Sequence, residues 1–156
     1  ALGRQLGLPK TDLKTLAQGG LLFDIGKVKI DDDLLNKKDR LTPDEFEIIK
    51  QHPNHSYKLL SRIPFLEKAM DIPYCHHEHW DGGGYPRGLK GEEIPLSARI
   101  FSIIDVWDAV QSERPYNSAW PKDKTIEYLK AQSGTLFDPD CVVKFLDLIE
   151  QGDTEL

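Results

Sequence analysis

The chain has 156 residues, enough for one domain with a core of useful size. It is 39% hydrophobic and 29% charged, which is too apolar for disorder. Its net charge of −6 argues against a nucleic-acid polymer as partner, since that needs a basic footprint. No apolar run approaches the roughly 18 residues that span a bilayer, and no basic-then-apolar start suggests a secretory signal. Cys75 and Cys141 form no spacing motif, and this points to free thiols in a reducing, cytoplasmic setting.

Helical signals dominate and strand signals are nearly absent, so the expected fold class is all-α. Thr11 is placed to cap a helix whose apolar positions Leu13, Leu16, Ala17, Leu21 and Leu22 recur at three-to-four spacing. That helix is expected to reach about Ile25, with Gly26 as its stop. Residues 27–40 read as an irregular connection. Thr42-Pro43-Asp44-Glu45 is a helix start: a cap, Pro at the first helical position, and Glu three residues after the cap. One or two helices follow, with a break near His52-Pro53. The next helix is expected from about Leu66 to the His76-His77 pair. From Gly82 to Pro95 the density of Gly and Pro forbids regular helix. Leu96 to Val110 returns to helical periodicity, with Ile100, Ile103, Ile104 and Trp107 as the buried stripe. Residues 122–132 and 138–150 make two further amphipathic helices.

All five histidines lie between positions 52 and 79. His52, His76, His77, Asp24 and Asp105 are of the types that bind first-row transition metals. Paired ions of that kind polarise a phosphate and activate water at neutral pH. Inward-facing residues on separate helices of a bundle are able to meet in this way. The spacing alone is weak support, because a single His is more often hydrogen-bonded or exposed, and an Asp beside Ile25-Gly26 is more often a cap.

These residues stand inside longer segments that resemble the HD-GYP branch of the HD phosphohydrolases. Leu21-Leu22-Phe23-Asp24-Ile25-Gly26-Lys27 is similar to the family's LLHDIGK signature, and Asp32 to Lys37 to its ILNKP stretch. Glu45 to Pro53 resembles its EFEIIKxHP helix, and His76 to Pro86 its HHExxDGxGYP core. Leu89-Lys90-Gly91, Ile94 to Ile100, Asp105 to Ala109, Arg114-Pro115-Tyr116 and Gly134 to Pro139 continue in register. The resemblance covers residues 1 to about 146.

It implies an HD-type helical bundle with a Gly/Pro-rich GYP loop, one domain over residues 1–156, excised from a longer protein with an N-terminal sensory or receiver domain. It also implies a phosphodiesterase that opens cyclic di-GMP to pGpG or GMP with iron or manganese, as a binuclear cluster if the site is intact. Asp24 would bridge the metals, and His52, His76, His77 and Asp105 would complete the ligand set. Lys27 would act on the scissile phosphate, Tyr85 would border the nucleotide pocket, and Arg114 would contact phosphate; Arg114 and Arg99 are equally suited to helix-end salt bridges.

The largest departure is Phe23, where the family has a ligating His and where phenylalanine offers no lone pair. The further ligands of trinuclear members come from a helix upstream of this chain. Two readings therefore stand side by side. One is a phosphodiesterase, weakened or intact; the other is a non-catalytic module that binds cyclic di-GMP or a GGDEF-type partner through the GYP loop. An HD hydrolase for another cyclic dinucleotide is the third.

Overall fold

The computed structural model describes residues 1–113 and 118–152. Among these residues nine α-helices follow one another: α1 (Leu2–Gln5), α2 (Lys10–Leu22), α3 (Asp32–Leu35), α4 (Pro43–Ile49), α5 (His52–Leu60), α6 (Asp71–Cys75), α7 (Leu96–Gln111), α8 (Lys122–Ala131) and α9 (Pro139–Glu150). Among the described residues extended pairing is limited to one isolated bridge, Ser133 with Phe137. The all-α expectation holds.

The main core sits at the α7–α9 end. In α9 the positions Cys141, Val142, Phe145, Leu148 and Ile149 recur at helical spacing and are all buried. They meet Ile100, Ile103 and Trp107 of α7, Leu129 of α8 and Leu2 of α1. Asp138 starts α9 by accepting from the Asp140 N–H at 2.9 Å, and its other oxygen accepts from Arg99 Nη1 at 2.6 Å. Of the two roles open to Arg99, the structure selects the salt bridge.

The other end is built from short pieces. Helix α4 opens with a full capping box: Glu45 N–H donates to Thr42 Oγ1, and Thr42 N–H donates to Glu45 Oε2. The break before His52-Pro53 falls as expected, at Lys50-Gln51. Three expectations need correction. Helix α2 starts two residues earlier, at Lys10 with extended Pro9 before it, and Thr11 caps nothing. It ends at Leu22, and Ile25–Lys29 is a separate 3-10 turn. The single helix expected from Leu66 is instead two 3-10 turns, at Pro64–Leu66 and Lys68–Met70, followed by the five-residue α6. Pro73 lacks an N–H and is tolerated only because it lies in the first turn of that short helix. The connection over 27–40 also holds more order than expected, since Asp31 accepts from Asp33 N–H and starts α3.

Candidate metal centre

Four chain segments converge at the end of the molecule away from the α9 core. Gly26 sets the first approach. A Cβ there would run into the His52 carbonyl and the Ser56 side chain, so only glycine lets the turn after α2 press against α5. The Gly26 N–H donates to buried Ser56 Oγ at 3.0 Å. Gly26 is therefore a contact residue and not the helix stop expected from its position.

That contact carries Asp24 to His52. His52 opens α5, and its Nδ1 donates to the Ile49 carbonyl at 2.8 Å. His76 follows α6, and its Nδ1 donates to the Ile72 carbonyl at 2.9 Å. A carbonyl only accepts, so each ring carries its proton on Nδ1 and turns a bare Nε2 lone pair inward. These two Nε2 atoms lie 3.4 Å apart. Asp24 Oδ1 stands 3.4 Å from one and 4.0 Å from the other. It is buried and receives no hydrogen bond among the described residues.

The distances between Asp24 and the imidazoles would suit ion pairs if the rings were charged. Burial, the first cause, holds His52 below its ordinary value and pushes His76 down to about 4. Neutral rings give Asp24 Oδ1 no donor. Three acceptors thus face one another in a place shielded from water, an arrangement that a cation satisfies and a hydrogen bond does not. The residues fit a metal ion.

His77 completes the group: the ligand atoms of His52, His76 and His77 lie within 4.8 Å of one another. Burial, then the neighbouring His76 and His52, pushes its imidazole down to about 2. The His77 ring stacks on Tyr85, with centroids 4.7 Å apart and planes at 22°. Burial first, then the charges of Asp24 and Asp105, pushes the Tyr85 phenol up to about 12, so it remains a donor. Asp105 lies half-buried on α7, outside the close imidazole group, and its charge reaches the site at Tyr85. Lys27 Nζ donates to Asp24 Oδ2 at 2.6 Å. Arg114 lies outside the described residues.

Phe23 stands beside this group with its ring edge-to-face against His76 at 5.6 Å and tilted against Phe101 at 5.1 Å. Phe101 in turn lies edge-on to His76 at 6.2 Å. The two phenyl rings wall off one side of the cluster with apolar surface and contribute no ligand.

Three residues that shape the site, Glu78, Lys50 and Phe101, carry no separate signal in the sequence. Glu78 is buried, and its two oxygens accept the N–H groups of Arg87 at 2.7 Å and Leu89 at 2.9 Å. It ties the loop after Tyr85 to the His76-His77 pair, and its only signal in the sequence is its place beside them. Gly84 fits this loop because a Cβ would strike the backbone of residues 77–79. Lys50, paired with Glu47, holds its ammonium 5.3 Å from the Tyr85 ring. Phe101 is visible in the sequence only as one more apolar residue of α7.

Comparison with known proteins bears on the family and the fold. A protein-family model described as HD domain matches residues 1–141. The cyclic di-GMP phosphodiesterase response regulator RpfG of Xanthomonas campestris pv. campestris is 46% identical over 143 residues, which is 90% of this chain and 38% of that protein. A cyclic di-GMP phosphodiesterase of Thermotoga maritima is 40% identical over 149 residues, covering 94% of this chain and 40% of its own length. The 3′3′-cGAMP-specific phosphodiesterase 2 of Vibrio cholerae is 36% identical over 148 residues, 94% of this chain and 28% of that protein. The chain thus spans well under half the length of these curated relatives. Among solved structures, an HDG"Y"P protein of Bdellovibrio bacteriovorus superposes with a TM-score of 0.75 at 20% identity, over 96% of this chain and 48% of that one. At that identity the likeness speaks for the fold.

Proposed function

The chain belongs to the HD domain family, and on that premise we propose that it is a metal-dependent phosphodiesterase that opens cyclic di-GMP to pGpG or GMP. The observation that carries this reading is Asp24 Oδ1, buried without a donor between two bare imidazole nitrogens. The phosphodiesterase names of the relatives support the substrate class. Asp24, His52, His76 and His77 would hold the metal, with Asp105 closing the set from α7. Mixed imidazole and carboxylate donors suit iron or manganese, and a binuclear cluster is the finer expectation. When bound, such a metal polarises a phosphoryl oxygen and lowers the pKa of water.

The chain's own residues supply the rest. Lys27 fixes one Asp24 oxygen and leaves the other turned to the imidazoles. Its ammonium also places positive charge beside the reacting phosphate, where charge grows in the transition state. Tyr85 keeps its proton, orients His77 by stacking, and offers a donor or a flat face to a nucleotide. Arg114 stays a proposed phosphate contact by its residue type.

Loss of the ligand at Phe23 leaves three imidazoles and the carboxylates of Asp24 and Asp105. That is enough to hold at least one ion with an open position, as three protein ligands do in catalytic zinc sites, and it favours the enzyme over the non-catalytic module. The relatives named above are named as enzymes, so a GGDEF-type partner at the GYP loop is the weaker proposal. Free buried thiols at Cys75 and Cys141 support a cytoplasmic setting, and no helix is long and apolar enough to cross a membrane. The greater length of the relatives supports a further sensory or receiver domain in the whole protein.

The test is product chromatography after incubating cyclic di-GMP with protein loaded anaerobically with iron or manganese. Appearance of pGpG or GMP, lost in Asp24→Ala, is expected. Folded, loaded protein that yields neither product would overturn the reading. A parallel arm with 3′3′-cGAMP, prompted by the third relative, decides between the two cyclic dinucleotides. Phe23→His tests the missing ligand: a gain in turnover with unchanged fold marks the natural chain as weakened.

A further inference from the structure

A concavity lined from the 3-10 turn Ile25–Lys29, from α5 and from the residues just after it shares no lining residue with the metal centre. It measures about 500 Å³ and is lined by Lys29, His55, Lys58, Leu59 and Arg62. Four of these five are basic in type, and none is acidic, in a chain whose net charge is −6. A surface with more acids than bases does not gather cations around one hollow by composition alone. Each of the neighbouring cations Lys27, Lys37 and Lys50 has a carboxylate partner. Lys29, Lys58 and Arg62 form no ion pair among the described residues.

The cations come from different elements. Lys58 lies in the last turn of α5 and Arg62 just beyond it, where basic side chains complement the helix carbonyls. That accounts for a cation at this helix end, but not for Lys29, which arrives on the 3-10 turn after Asp24. Between them His55 has a buried Nδ1 with no hydrogen-bond partner. Burial first, and after it the positive charges of Lys58 and Lys29, hold its ring below the ordinary value. Three unneutralised cations around a ring with an unused nitrogen lack one component: an anion with several acceptor oxygens.

We propose that the hollow lined by Lys29, His55, Lys58, Leu59 and Arg62 is an anion site separate from the metal centre, built for a phosphate group, either free or at the end of a nucleotide. Arg62 supplies a planar fork for two phosphate oxygens, and the lysines add point charges on either side. Leu59 gives a small apolar wall. A volume of about 500 Å³ accommodates a pyrophosphate or a nucleotide phosphate. The site stands whether or not the phosphodiesterase reading does.

Calorimetric titration of the whole chain, stripped of metal and dialysed free of chelator, tests this with sodium pyrophosphate and with 5′-GMP as probes. Binding is expected to weaken about a hundredfold in the double variant Lys58→Gln/Arg62→Gln, about tenfold for each lost charged hydrogen bond. It should survive in Asp24→Ala and weaken as sodium chloride rises. All three positions changed for charge are exposed, and circular dichroism checks that the fold is kept. Lys29→Gln is the independent second variant, expected to act in the same direction. Binding of both probes assigns the site to phosphate itself, and binding of 5′-GMP alone assigns it to a nucleotide. Equal affinity in wild type and in both sets of variants, no heat with either probe, or loss in Asp24→Ala alone would each overturn the proposal.

Discussion

The two ends of this molecule handle buried groups in opposite ways. At the α9 end the interior is Phe145, Ile100, Ile103 and Leu129, all fully buried, and the charge pair of Arg99 with buried Asp138 is closed at 2.6 Å. At the α5 end the buried groups are His52, His76 and Asp24 Oδ1, which face each other as acceptors. Apolar burial stabilises the first by roughly 25 cal/mol per Å² of surface removed from water. The second gives up stability, because unsatisfied buried polar atoms cost about 1–3 kcal/mol each. Stability and chemistry are thus held in separate parts of one short chain, a division expected where a site must bind a cation.

The comparison breaks most sharply at Phe145. Phe145→Ala leaves a large cavity beside Trp107, whose ring lies 5.2 Å away, and should cost about 3–5 kcal/mol. Chemical denaturation measures this, and metal content per folded molecule should stay unchanged. Loss of metal from the folded variant would show the two ends to be coupled. At the other end, metal loading should raise stability by about 2.7 kcal/mol at a hundredfold excess over Kd, as binding to the folded state alone requires. Melting with and without manganese checks it, and Asp24→Ala should abolish the increment without lowering the metal-free melting point.

A smaller effect separates loop from cluster. Glu78→Gln keeps one acceptor oxygen but sets an amide donor against the Arg87 or Leu89 N–H, a local cost of about 1–3 kcal/mol. The expected outcome is a raised KM with metal content intact, since the loop and not the imidazoles is released. A fall in kcat alone, with KM unchanged, would contradict that placement.

What was legible in the chain follows the same division. Helices α7 and α9 were readable because long periodic faces bury against each other, and α4 because its capping box is local. Helix α6 was not, because Pro64 and Pro73 break the chain into single turns that tertiary packing alone holds. Asp24, Lys27, His52, His76, His77 and Tyr85 were brought forward by family resemblance. Physics alone offered weak spacing, since their meeting depends on the Gly26–Ser56 contact between distant segments. Glu78 and Phe101 stayed silent for the same reason. A buried acid that accepts two backbone N–H groups looks, in sequence, like any other acid.

The most specific effect is on acid stability without metal. An unfolded imidazole takes up its proton near pH 6.5, whereas burial pushes His76 down to about 4 in the fold. Between those values the unfolded chain binds more protons. The contribution of a neutral His76 is therefore complete above about pH 6.5 and is lost as pH falls toward 4. One proton limits the slope to about 1.4 kcal/mol per pH unit. Carboxylates titrate in part of the same window, so wild type by itself does not isolate the effect. The difference between wild type and His76→Gln does, because the carboxylates are common to both. That difference should be flat above pH 7 and turn against wild type as the pH drops. If it stays flat down to pH 4, His76 is not held neutral by burial, and the bare nitrogen inferred at its Nε2 does not face the metal site in the way its hydrogen bond to Ile72 requires.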